Sequence, residues 1–88
     1  MNTNTALSTS QLEEDLRCLV AETGGIAPAF DPKAHFYDEL GIPSVKALHL
    51  LYALEDKYNV HVEDQEFIQA NTLESLRAMM SHLLEPGN

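Results

Sequence analysis

Ser44 lies in a stretch whose residue types can display a hydroxyl group to other molecules. In ELGIPSVKALHLL, residues 39–51, Gly41 and Pro43 predict a turn that delivers Ser44 to the start of an apolar-periodic run. The free backbone N–H groups and the positive dipole end at a helix start favour a nearby negative charge by about 0.3–1 kcal/mol. Ser44 is therefore either a helix N-cap or a serine displayed so that another group can be attached to it.

A catalytic triad is the other chemistry that these residue types suggest, with His49 and Asp38 beside Ser44. His49 follows Ser44 by five residues on one predicted helix, so the two side chains point about 140° apart and cannot pair. The histidines lack the spacing of a metal site, and Cys18 is the single cysteine of the sequence. The sequence thus predicts no catalytic residue and no metal site.

Charge and length limit the classes of partner. Five Lys and Arg against 14 Asp and Glu give a net charge of −9 over 88 residues. Such a chain is repelled by phosphate backbones and anionic lipids, so we expect no nucleic acid and no membrane partner, but proteins with basic patches. The single cysteine and the lack of a signal-peptide pattern favour a cytoplasmic protein.

Hydrophobic periodicity predicts an all-α bundle of three main helices and one short helix. The first helix spans about residues 10–23, and a long loop over residues 24–43 leads to the second helix, about 44–58. A short helix covers 64–69, and the last helix runs from a cap at Asn71 or Thr72 to about residue 84. We expect one domain over residues 8–85, a flexible lead-in over 1–7 and a tail over 86–88.

The wide apolar arc of the second helix suggests a central helix with neighbours on two sides. Leu48, Leu51 and Leu54 trace one apolar face of that helix, and Leu50 and Leu54 trace the adjacent one. The short helix is expected to be anchored by Phe67 and Ile68.

The segment FYDELGIPSVKALHLLYALEDKYNVHV resembles the acyl and peptidyl carrier proteins, and so does NTLESL at the last helix. The similarity covers about residues 10–84, with Leu40 and Gly41 on the Leu-Gly of the family pattern. Ser44 falls on the serine that receives 4′-phosphopantetheine from coenzyme A. The resemblance implies a four-helix acyl-carrier-protein-like bundle that is no enzyme. Its arm would hold an acyl or aminoacyl group as a thioester for partner enzymes.

Four residues near the serine depart from the family pattern. Pro43 stands where Asp is usual and Val45 where Leu is usual, and Lys46 and His49 replace acidic or neutral polar residues. These changes favour a specialised carrier with its own loading enzyme over housekeeping fatty-acid synthesis, and aminoacyl loading is one such use.

The resemblance also implies partners: a phosphopantetheinyl transferase, an acyl- or aminoacyl-loading ligase and a downstream transferase, with the carrier itself monomeric. The alternative that remains open is an unmodified small helical adaptor for protein interactions. We expect the partners to dock on the second helix and the loop before it. The expected docking residues are Asp38, Glu39, Val45, Lys46, His49, Tyr52, Glu55 and Asp56.

Overall fold

Four helices make up the computed structural model, which describes residues 9–85. They are α1 (Thr9–Gly24), α2 (Lys46–Tyr58), α3 (Asp64–Gln69) and α4 (Leu73–Leu83). No strand occurs within this range, so the predicted all-α bundle with one short helix is confirmed. The expected lead-in over residues 1–7 and tail over 86–88 lie outside the described residues. None of the helices within 9–85 is long and apolar enough to cross a membrane.

Helix α1 is the element that has long helices on two sides. It packs against both α2 and α4, while α3 packs against α4. The sequence had assigned this central place to α2, and that prediction is wrong. The side chains that fill the middle of the bundle are fully buried and apolar. They include Leu16, Val20, Phe36, Leu54, Val62, Leu73, Leu76 and Met80.

Two residues predicted to face the core are instead exposed: Leu48 at 56% and Ile68 at 70%. Leu54 is fully buried, and Leu48 is about 120° away from it around α2, so the two side chains face different surroundings. In the six-residue α3, Phe67 is buried, which turns the next residue about 100° away toward solvent. The apolar arc of α2 is wide because some of its apolar residues pack in the core and others lie on the surface.

The long loop between α1 and α2 folds back over the core, as its apolar residues predict. Arg17 of α1 holds the first half: its Nη1 donates to the carbonyl oxygens of Pro28 at 2.8 Å and Phe30 at 2.7 Å. The guanidinium carbon also lies 5.0 Å from the centre of the Phe30 ring, in cation–π range. In the second half, Phe36 is buried, and its N–H donates to the Asn71 carbonyl at 2.8 Å. The loop is therefore fixed at both halves before it reaches α2.

The opposite environments of two leucines on α2 give a matched stability test. We expect Leu54→Ala to lower the free energy of unfolding by about 2–5 kcal/mol, because it leaves a cavity in the core. The same change at Leu48 is expected to cost less than about 0.5 kcal/mol, since that side chain is exposed. Urea denaturation followed by circular dichroism measures both, and equal losses would contradict the observed packing.

Candidate functional site

Ser44 lies in an exposed turn that leads directly into α2. The Lys46 N–H donates to the Pro43 carbonyl at 2.9 Å, and the Ala47 N–H donates to the Ser44 carbonyl at 3.0 Å. The helix begins at Lys46, two residues later than predicted, and its N-cap is Val45, which makes no side-chain capping hydrogen bond. Within residues 9–85 no partner is found for the Ser44 hydroxyl. The structure thus gives Ser44 no capping role and leaves its hydroxyl free.

The turn is shaped by the three residues before the serine. Gly41 has φ of +73°, in the left-handed region that favours glycine. Ile42 is 6% exposed and enters the core, while Pro43 is exposed. A Cβ atom on Gly24 would lie 2.8 Å from the Ile42 Cδ1 atom, so the end of α1 needs a glycine where Ile42 packs. Burial of Ile42 therefore fixes the point at which the chain returns to the surface.

His35 organises the acidic loop before this turn. Its Nδ1 accepts the N–H of Tyr37 at 3.2 Å and that of Asp38 at 3.1 Å. The His35 N–H donates to Glu39 Oε1 at 2.7 Å. The side chains of Asp38 and Glu39 stay exposed at this position. Sequence reasoning missed this role, because a histidine has no characteristic spacing as a loop cap.

A groove of about 310 Å³ runs between α2 and α3, and Ser44 contributes to its wall. The hydrophobic walls come from Leu48 and Leu51 of α2 and from Phe67 and Ile68 of α3. Tyr37 also lines it, and burial raises the pKa of the Tyr37 hydroxyl above its ordinary value. This groove is not predicted from the sequence, because helical periodicity assigns Leu48 and Ile68 to the core.

Most of the predicted docking residues lie on one exposed face. Val45, His49, Tyr52 and Asp56 recur at spacings of three and four along α2, and all four are exposed. Lys46 is partly buried at the edge of this face. The face extends from Val45, next to Ser44, to Asp56, about 15 Å further along the helix, and Asp38 and Glu39 lie in the loop before the turn.

Glu55 is a second predicted docking residue, after Glu39, whose carboxylate bonds its own chain. Its Oε2 accepts the Val62 N–H at 2.9 Å and lies 3.4 Å from His61 Nδ1. The carboxylate thus helps to hold the connector between α2 and α3.

In the described part of the chain, no group of three His, Cys, Asp or Glu is arranged to hold a metal ion.

Comparisons with known proteins agree on one family. The family model described as phosphopantetheine attachment site matches residues 14–80. An acyl carrier protein of Helicobacter pylori strain J99 is 34% identical over 56 residues, which are 62% of this chain and 72% of that protein. An acyl carrier protein of Streptomyces coelicolor is 32% identical over 77 residues, or 85% of this chain and 80% of that protein.

A solved structure shows the same fold. The NMR structure of the HMG-ACPI domain from the CurA module of Lyngbya majuscula superposes with a TM-score of 0.76. The superposition covers 96% of this chain and 87% of that domain, at 18% sequence identity. At that identity the likeness concerns the arrangement of the helices.

The free hydroxyl of Ser44 predicts that its removal leaves stability unchanged. We expect Ser44→Ala to alter the free energy of unfolding by less than about 0.5 kcal/mol. Thr72→Ala is the matched comparison, because Thr72 Oγ1 accepts the Ser75 N–H at 3.1 Å in a capping box, and its loss should cost about 1 kcal/mol. Urea denaturation of the unmodified proteins measures both changes. A loss at Ser44 as large as that at Thr72 would show that Ser44 is a cap.

Proposed function

The chain belongs to the phosphopantetheine-binding family of carrier proteins, and from this we propose that Ser44 is the residue to which its 4′-phosphopantetheine is attached. The family membership means that the protein is a carrier with a covalently held cofactor, and not an enzyme. The observation that carries the assignment of the residue is the exposed hydroxyl of Ser44, which has no hydrogen-bond partner within residues 9–85.

The surroundings of Ser44 suit a phosphodiester. The side chain lies on the surface, two residues before α2, so the positive end of the helix dipole favours a negative charge there. Attachment would form a bond between the Ser44 oxygen and the phosphorus of the phosphopantetheine group, break the phosphoanhydride bond of coenzyme A, release adenosine 3′,5′-bisphosphate and pass the hydroxyl proton to the transferase. The attached group supplies a thiol that holds the cargo as a thioester. The residues of this chain position that arm and offer its partners a surface.

We place the docking surface for these partners around the same turn. Carriers of this family interact with phosphopantetheinyl transferases and with acyl-handling enzymes in general. Asp38, Glu39 and Asp56 offer exposed carboxylates to such partners. Val45, Lys46, His49 and Tyr52 add apolar and basic side chains. Glu55 contributes less than its position in the sequence suggests, because it already bonds Val62 and lies close to His61.

The four departures around Ser44 support a specialised carrier. Pro43, Val45 and His49 are all exposed, so an approaching enzyme meets them directly. A partner that recognises an acidic helix would contact Lys46 and His49 instead, and these positive or neutral side chains would disfavour its binding. We propose a monomeric cytoplasmic carrier served by its own acyl- or aminoacyl-loading ligase and a downstream transferase.

Intact mass spectrometry tests the attachment. After incubation with coenzyme A and a broad-specificity phosphopantetheinyl transferase, we expect the protein to gain the mass of one phosphopantetheine group. Ser44→Ala should abolish the gain, because no other hydroxyl stands in the same turn. Ser81→Ala is the matched control, since Ser81 is also exposed but lies on α4, and it should gain as much mass as the natural protein.

Two other results would contradict the attachment at Ser44. No gain of mass with any such transferase would favour the unmodified helical adaptor. A full gain in Ser44→Ala would place the attachment on another residue. Circular dichroism of each variant establishes that the protein tested is folded.

A further inference from the structure

The ring of His35 is a hydrogen-bond acceptor for the loop that precedes Ser44. Its Nδ1 atom accepts the N–H of Tyr37 at 3.2 Å and the N–H of Asp38 at 3.1 Å. An imidazole nitrogen accepts hydrogen bonds only while it bears no proton, so the proton of the neutral ring lies on Nε2. The Nε2 atom lies 3.8 Å from the Oδ2 atom of Asp38, so the protonated side of the ring is the side near a carboxylate.

The same residues form a cap like the one that begins many helices. The His35 ring bonds N–H groups two and three residues later, and in return the His35 N–H donates to Glu39 Oε1 at 2.7 Å. A capping box has the same reciprocal plan, in which a carboxylate from the following turn accepts the N–H of the capping residue. Serine, threonine, aspartate and asparagine usually provide the capping side chain. Here a histidine provides it, so the cap contains a group that changes protonation between about pH 5 and 8.

Protonation of the His35 ring removes this cap. An imidazolium ion carries a hydrogen on each nitrogen and accepts no hydrogen bond. Its Nδ1–H would point at the N–H groups of Tyr37 and Asp38, so three donors would face one another without an acceptor. The ring must then turn away, and the two backbone N–H groups bond water instead.

The charged groups nearest to His35 do not keep the protonated ring in the cap. Asp38 attracts an imidazolium ion, but its side chain is 81% exposed, so water screens the attraction. The same attraction persists after the ring has turned, because both nitrogens then carry a hydrogen. The Glu39 carboxylate already accepts the His35 N–H. Tyr37 meets the His35 ring edge-on, and burial raises the pKa of its hydroxyl, which therefore stays neutral in acid.

Charges on the neighbouring segments are exposed to water. Lys33 lies two residues before His35, and its own N–H donates to the Asp31 carboxylate at 2.9 Å. At the start of α4 the charged residue is Glu74, whose N–H donates to the Pro32 carbonyl at 3.0 Å. The side chains of Lys33 and Glu74 are both exposed, so water screens their effect on the ring.

Loss of the cap releases a short segment and leaves the core in place. Phe36 is buried, and its N–H stays bonded to the Asn71 carbonyl at 2.8 Å. Ile42 is buried at the other end of the segment. Neither contact involves the His35 ring. The part that is released is therefore residues 37–41, which contain both exposed carboxylates of this half of the loop.

We propose that His35 is a pH-sensitive cap, which orders residues 37–41 while its ring is neutral and releases them when acid protonates the ring. The cap itself does not depend on the attachment at Ser44. Its consequence for binding rests on the docking surface proposed above, which includes Asp38 and Glu39. In acid these two carboxylates lose their fixed positions in the loop before the attachment turn.

NMR on the unmodified full chain tests the proposal through imidazole nitrogen-15 shifts and amide hydrogen exchange. At neutral pH the ring shifts should place the proton of His35 on Nε2. Between about pH 7.5 and about pH 5.5, where histidine gains a proton, we expect the protection of the Tyr37 and Asp38 amides to fall at least threefold. Protection is the intrinsic exchange rate at each pH divided by the observed rate, so the direct effect of pH on exchange cancels.

Three variants identify the group that responds. His35→Asn should lose the response to pH, because an asparagine oxygen accepts backbone N–H groups and does not titrate. His35→Ala should show low protection at both pH values. His61→Gln is the matched control and should respond as the natural protein does, because His61 also lies near carboxylates but in the connector between α2 and α3. Circular dichroism establishes that each variant is folded.

Several results would overturn the proposal. A ring proton on Nδ1 at neutral pH would contradict the observed acceptor, and a ring that is still neutral at about pH 5.5 would remove the trigger. Unchanged protection beside a protonated ring would show that the loop does not need this cap. The same fall in His35→Asn would assign the response to a carboxylate, and its absence in His61→Gln would assign it to His61. The attachment at Ser44 is tested separately, by the gain of mass.

Discussion

Burial of one side chain, Ile42, determines where the chain can present Ser44. The Ile42 side chain packs against the end of α1 at Gly24. Burial of an isoleucine side chain contributes about 1.5–3 kcal/mol to stability. The positive φ of Gly41 lets the chain turn into that contact, and Pro43 and Ser44 then emerge at the surface before α2 begins. The position of the hydroxyl therefore follows from core packing two residues earlier, and the side chain of Ser44 need not bond to anything to be held in place.

The rest of the loop before Ile42 is held by contacts of its own. Arg17 fastens the first half to α1 through the carbonyls of Pro28 and Phe30, and the buried Phe36 fastens the second half beside α4. His35 folds the acidic segment into a tight turn, which leaves Asp38 exposed. Each of these anchors lies outside the exposed face of α2, so the loop is held without contacts from that face.

Much of the fold could be predicted from the sequence, because helical periodicity and capping signals are local. The bounds of α3 and the Thr72 cap of α4 follow from residues within a few positions of each other. The exposure of Leu48 and Ile68 could not be predicted in this way, because it depends on which face of each helix the folded core covers. The groove between α2 and α3 exists only once those helices are packed. The role of His35 likewise needs the folded loop.

The most direct measurement is tandem mass spectrometry on a proteolytic digest of the protein after transfer from coenzyme A. It reports which side chain bears the phosphopantetheine group, independently of any substitution. A carrier whose turn is set by Ile42 should bear the group on Ser44 alone. Modification of a different serine or threonine, with Ser44 unmodified, would contradict the central claim.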